Sequence, residues 1–251
     1  LHLKLQGGRL DGEVAFGKGG RQVDSARRTA VVVGVLFLSA LTTNLIGSKL
    51  VESIIYAPDY LVSAYPNRIQ VTAGLLLELI AALAVVGIPV MMFPILRKDS
   101  ETIALGYLAL RVIESATVFV GNAGPRSLLT LSQEYVRAGA PEAPYFQTLG
   151  ALFQAERYWA YPMLGVVFSF GALLFYYSLF RSRLIPRFIS GWGLAGAVLL
   201  LIGLVVGMFG SSAGVMVFAA PIALNELFLA IWLIVKGFSG SAAITESAGQ
   251  T

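Results

Sequence analysis

The chain has 251 residues, 57% of them hydrophobic and 13% charged, where an average soluble domain carries about 25% charged residues. Its mean hydropathy of +0.76 excludes a water-soluble surface, and its several apolar runs of spanning length exclude a soluble domain held by one anchor. There are no cysteines and one histidine, at His2 in a polar stretch, so disulfides, thiolate chemistry and His- or Cys-ligated metals inside the membrane are excluded.

The net charge of +4 would raise the question of nucleic acid in a soluble protein. In an apolar chain the excess belongs instead to cytoplasmic loops, and no nucleic-acid partner is expected. Residues 1–28 hold six Lys/Arg, three Asp/Glu and the pairs Gly7-Gly8 and Gly19-Gly20. They read as a disordered cytoplasmic tail, without the short basic start and apolar core of a signal peptide.

The six expected spans cover about 29–48, 69–96, 102–121, 158–180, 188–208 and 215–235. The first carries no charge and contains Asn44. The second contains Glu78, with Pro89 and Pro94 expected to bend its inner end. A polar turn, Arg97 to Glu101, leads to the third span, which contains Arg111 and Glu114. Residues 122–157 form a long outer loop with helical content. Leu128, Leu131, Tyr135 and Val136 recur at helical spacing, so one face lies on the membrane or the bundle. Pro141 and Pro144 break that pattern, and a second helical stretch from Tyr145 leads into the fourth span. The fifth span carries Gly203 and Gly207 at the spacing that lets helices approach closely in lipid. An uncharged turn, 210–214, precedes the sixth span, which contains Pro221, Asn225 and Glu226. Residues 239–251 are expected to be a disordered C-terminal tail. The aromatics Tyr158, Trp159, Tyr161, Trp192 and Trp232 sit near span ends and read as interfacial belts.

With the N-terminus inside, twelve Lys/Arg fall on the inner side and five (Lys49, Arg68, Arg126, Arg137 and Arg157) on the outer side. The positive-inside rule then gives an all-α, six-span bundle with both termini in the cytoplasm.

Glu78, Arg111, Glu114 and Glu226 lie inside spans, where a charge at the helix centre costs about 2.5–3.5 kcal/mol on insertion scales. Such side chains turn inward and find partners. Arg111 and Glu114 are three residues apart and share a helix face; Glu78 and Glu226 are the alternative partners of Arg111. At ~1.5 Å per residue, Asn44 lies ~6 Å from the outer surface, Glu114 ~10 Å, Glu78 ~14 Å, Arg111 ~15 Å and Glu226 ~17 Å. Four spans therefore bring polar groups to a similar level, beneath the 122–157 loop. Asn225, beside Glu226, belongs to the same candidate set. Three carboxylates against one guanidinium leave two positive charges wanting. A proton, a metal ion, a cationic headgroup or Arg157, swinging in from the fourth span, supplies the balance.

Three readings follow. The cluster binds or passes a small ligand, ion or proton, the default for intramembrane ionisable residues. It works as an intramembrane enzyme through glutamate or a glutamate-bound metal, for which Mg²⁺, Mn²⁺ or Ca²⁺ suits better than Zn²⁺. Or its ion pairs only fix helix register. Nothing calls for a bound organic cofactor; the expected partners are the bilayer and a small ligand, ion or lipid headgroup. No Walker, GxSxG or HExxH motif is present, and no internal repeat marks an inverted-repeat transporter.

Three stretches resemble domain-of-unknown-function family 4386, a group of bacterial polytopic membrane proteins. The first runs from Phe180 to Gly196 through Arg181, Arg183, Pro186, Arg187 and Trp192. The second is Pro221 to Phe238, the closing segment, and the third is Leu110-Arg111-Val112-Ile113-Glu114. The similarity covers about residues 28–238. It implies a bacterial cytoplasmic membrane and no particular activity.

Overall fold

A computed structural model describes residues 7–141, 143–210 and 215–239, with side chains described from Ser25 onward except at 215 and 216. The expected C-terminal tail from 240, the turn at 211–214 and the first six residues lie outside the described residues. The rest is helical: α1 Gly7–Ile55, α2 Tyr60–Ser63, α3 Arg68–Leu96, α4 Glu101–Gly121, α5 Ala123–Arg137, α6 Pro144–Ser182, α7 Arg187–Met208 and α8 Val215–Val235. Among the described residues six helical segments are long and apolar enough to cross a membrane. The chain is thus an all-helical, multi-pass membrane protein, as the apolar runs predict.

The spans close into a ring: α1 against α3, α3 against α4, α4 against α6, α6 against α7, α7 against α8, and α8 back against α1. Local chemistry sets several of the junctions. The Ser100 hydroxyl accepts a hydrogen bond from the Ile103 amide (3.4 Å) and caps α4. Pro144 opens α6 at its first turn, where its missing N–H is no loss. Arg183 ends α6 in the left-handed conformation (φ 55°).

α1 and α3 meet backbone to backbone. A Cβ on Gly47 would stand 2.7 Å from the Gly74 carbonyl oxygen, and one on Gly74 2.7 Å from that of Gly47. Glycine at both positions is what permits this approach. On α7, a Cβ at Gly203 would meet the Phe218 ring of α8 at 2.7 Å. Gly207, its partner in the GxxxG spacing, lines a pocket instead.

Two boundaries differ from expectation. The helix of α1 already runs from Gly7, where a disordered tail was expected through residue 28. No proline interrupts residues 7–55, and extending a formed helix costs far less than nucleating one. The span-competent part of α1, Ser25–Ile55, also outruns the expected end at 48. The 122–157 segment carries the two helical stretches expected of it: α5, and the first turns of an α6 that continues unbroken into the membrane span. With 39 residues, α6 is roughly twice as long as a ~30 Å hydrocarbon core requires. α3 likewise continues through Pro89 and Pro94 to Leu96.

The extra helix builds a cap over one end of the ring. There Val51, Ile55, Ala64, Val71 and Leu128 form a small apolar core, and the Ser132 hydroxyl accepts from the Tyr65 amide (2.9 Å). The buried face of α5 is Gly124, Leu128 and Ser132; Val136, expected on it, is exposed. A larger core fills the opposite end, around Phe37, Met92, Tyr107, Phe175, Tyr176 and Ile189. This second end is basic: Arg27 donates to the last carbonyls of α8 (Leu233, 3.0 Å; Ile234, 2.7 Å), and Arg181 pairs with Asp99 (3.1 Å). Along α1, α3 and α4, the polar residues fall between the two cores.

Candidate functional site

The buried charges form two centres at different heights in the ring. The deeper one joins α4 and α8. Arg111, 2% exposed, extends along its own helix face. Its Nη1 donates to both Glu114 oxygens (3.2 and 3.0 Å). Its Nη2 stands 3.7 Å from Glu226 Oε1, too far for a hydrogen bond. The guanidinium also lies over the rings of Phe168 (4.9 Å) and Tyr107 (5.4 Å). Such contacts contribute most where water is excluded.

These three residues line a cavity of about 170 Å³. The remaining wall is mostly apolar, with Phe37, Leu41, Val85 and Phe168, and Asn44 of α1 and Ser115 of α4 add polar groups. At about 30 Å³ per water, this is room for about five waters or a small hydrated ion. The Ser115 hydroxyl itself donates to the Ala82 carbonyl (2.9 Å) and fixes α4 to α3 beside the cavity.

The second centre lies toward the capped end, one turn from Ala82 along α3. Glu78 is fully buried. Arg157 of α6 grips it with two hydrogen bonds, Nη2 to Oε1 at 2.6 Å and Nη1 to Oε2 at 3.3 Å. The Tyr161 hydroxyl donates to Glu78 Oε1 (3.1 Å). Asn122, at the α4–α5 junction, accepts from Arg157 Nη1 (3.1 Å). Glu52 of α1 stands 3.6 Å from Arg157 Nη2. Glu78 owes its place to the Gly47–Gly74 contact: its Cγ lies 3.0 Å from where a Gly47 Cβ would be.

The sequence-derived candidates therefore separate. Asn44, Arg111, Glu114 and Glu226 share one cavity. Glu78 and Arg157 form their own pair, so Glu78 is not a partner of Arg111. Asn225 belongs to neither centre: its Nδ2 donates to the Ile189 carbonyl (2.9 Å) and ties α8 to α7. Adjacent residues on a helix point about 100° apart, which is why Asn225 and Glu226 face different neighbours. The charge balance changes as well. Each centre sets two glutamates against one guanidinium, Glu114 and Glu226 against Arg111 and Glu78 and Glu52 against Arg157, and so each falls short by one positive charge.

Three contributors were not among the expected set. Glu52 lies beyond the expected end of the first span. Asn122 was read as the start of a loop. Tyr161 was read as part of an aromatic belt, yet its ring lies under the Arg157 guanidinium (4.8 Å). The signal available was the four-residue spacing of Arg157 and Tyr161, which puts both on one face of an unbroken helix. Among the described residues no group of three or more His, Cys, Asp or Glu is placed to hold a metal ion.

Ring and centres together define a six-span helical membrane protein with ionisable groups buried at two levels. The chain belongs to the DUF4386 family, a domain of unknown function whose sequence model matches residues 32–237. No curated protein and no solved structure matches it.

Proposed function

We propose that the protein binds a small cation, the proton included, in the cavity between Asn44, Arg111, Glu114 and Glu226, and passes it across the membrane. The observation that carries this reading is the unequal partnering of the two glutamates on Arg111. Glu114 takes both short hydrogen bonds. Glu226 is left with the Arg111 guanidinium at 3.7 Å and a side chain 15% exposed on the cavity wall. A carboxylate in apolar surroundings needs a full partner or a counter-charge. Both short hydrogen bonds of Arg111 go to Glu114, so a cation entering the cavity supplies the rest of the counter-charge.

We further propose that the basic end faces the cytoplasm of a bacterial cell. Arg27, Arg97, Lys98, Arg181, Arg183, Arg187 and Lys236 cluster around the helix ends opposite the α2–α5 cap, the distribution that the positive-inside rule associates with the inner face. The cap and the Glu78–Arg157 pair then lie toward the outside.

The test is flux into proteoliposomes, with a pH-sensitive dye for protons and Na⁺ or K⁺ gradients for metal cations. Cation-driven flux is expected in the native protein and is expected to be lost in Glu226→Gln, which keeps the shape and removes the charge. Absence of flux under every gradient, with the protein folded in the vesicles, overturns the reading.

A second reading has its own support at the other centre. Glu78 and Arg157 satisfy each other bidentately, with Tyr161 and Asn122 completing the set. That is the form of an ion pair that fixes helix register, and for this pair we favour packing over transport.

A further inference from the structure

The second centre opens on a pocket of about 420 Å³ between α1, α6 and α7, which is separate from the Arg111 cavity and within the size range of small-molecule sites. Its lining is polar and aromatic at Glu52, Tyr56, Tyr158 and Trp159 and apolar at Leu204 and Met208. Glu52 and Tyr56 are one helical turn apart on α1 and its extension. Tyr158 and Trp159 stand edge to face, with ring centroids 5.5 Å apart and planes at 85°. Aromatic faces set at an angle beside a carboxylate are the arrangement that attracts an alkylated ammonium.

The charges select the sign of the ligand. Arg157 lines this pocket, but both its Nη atoms are engaged by Glu78, Asn122 and Tyr161. Glu52 approaches that guanidinium only to 3.6 Å, and its side chain remains 38% exposed. Arg157, Glu78 and Glu52 together carry one surplus negative charge. An anionic headgroup would meet that surplus, and so would the phosphate of a zwitterionic lipid. A monocation would neutralise it. The apolar Leu204 and Met208, one turn apart on α7, suit a short alkyl chain.

We propose that this pocket binds an alkylammonium amphiphile, its cationic head against Glu52, Tyr56, Tyr158 and Trp159 and its tail along Leu204 and Met208.

The experiment is calorimetric titration of the full chain in maltoside micelles with four probes that share a six-carbon tail: hexyltrimethylammonium, hexylphosphocholine, hexyl sulfate and hexanol. Saturable binding is expected for hexyltrimethylammonium, at least about tenfold tighter than for the other three. Glu52→Gln, which keeps the shape of a part-exposed side chain and removes its charge, is expected to weaken it about tenfold. Trp159→Leu, which keeps an apolar surface and removes the ring, is expected to weaken it about fivefold, the size of one exposed cation–π contact. Glu226→Gln, in the other cavity, is expected to leave it unchanged, so that failure here and failure of the proposed cation flux are read separately. Binding of hexylphosphocholine or hexanol as tight as that of hexyltrimethylammonium, or Glu52→Gln without effect, overturns the proposal.

Discussion

Replacing Arg157 by methionine keeps most of the side chain's length and removes the charge that holds Glu78. The Glu78 carboxylate is 0% exposed and its counter-ion 1% exposed, so neither solvent nor a neighbouring cation is at hand to replace the loss. Of the hydrogen bonds reaching Glu78, only that from the Tyr161 hydroxyl (3.1 Å) would survive. Breaking a buried pair from one side typically costs about 3–5 kcal/mol, because the remaining charge stays desolvated. The Glu78→Leu/Arg157→Met double variant removes both charges and fills similar volume. Such exchanges are neutral or stabilising by about 1–4 kcal/mol in other buried pairs. The assay is a double-mutant cycle on reversible unfolding in mixed micelles. Arg157→Met and Glu78→Leu are each expected to lose several kcal/mol, and the double variant is expected to recover most of it. A double variant as unstable as the sum of the singles would refute the argument, since it would mean that the two side chains act independently. So would a single variant with native stability, which would mean that water can stand in for Arg157, or that Glu52 can stand in for Glu78.

Two further substitutions test how the ring is assembled. Gly47→Ala puts a methyl group 2.7 Å from the Gly74 carbonyl, backbone against backbone, where no side chain can turn away. It is expected to cost about 1–3 kcal/mol, read as a lower midpoint of thermal unfolding in detergent, and to loosen Glu78, which packs over the same spot. Asn225→Leu removes one hydrogen bond to Ile189 and is expected to cost about 0.5–1.5 kcal/mol with cation flux intact. Loss of flux in that variant would return Asn225 to the cavity site.

The membrane spans were legible because each apolar run is bounded by charge or by a turn, and hydrocarbon accepts little else as a crossing element. The Arg111–Glu114 pair was legible for a local reason: three residues of helix bring the two side chains together whatever the rest of the bundle does. Contacts between helices were not legible. Nothing along the chain states that Arg157 of α6 reaches Glu78 of α3. The ring places α4 between these two helices, and the pair forms because both long side chains turn into the bundle at one height, Arg157 being carried there by the extra turns of α6 instead of being left at the bundle's rim. Tyr161 was misread for the same cause. Near the end of a short span it looks like an interfacial aromatic; in the middle of a long helix it becomes a hydrogen-bond donor to a buried carboxylate. Glu52 escaped notice because hydropathy ends a span where polarity rises, whereas a helix ends where its hydrogen bonds do.

The contrast between the two centres bears on function more than either centre does alone. Both remove carboxylates from water, and both therefore carry a desolvation cost. At Glu78 the protein meets that cost in full, with a bidentate guanidinium and a tyrosine hydroxyl. At Glu226 it does not, although Arg111 is near and a short approach would complete a second pair. Helix packing alone gains nothing from an under-partnered carboxylate; Glu114 and Arg111 already join to each other, and the Ser115–Ala82 bond holds α4 to α3. A carboxylate left short of partners beside a cavity is what reversible cation binding requires, since a fully satisfied group has no affinity left for a guest. The same comparison applies at the pocket mouth, where both Nη atoms of Arg157 bond Glu78 and Glu52 is left over. In each centre one carboxylate is tied by hydrogen bonds to the arginine and a second is not, and it is the second that faces open space.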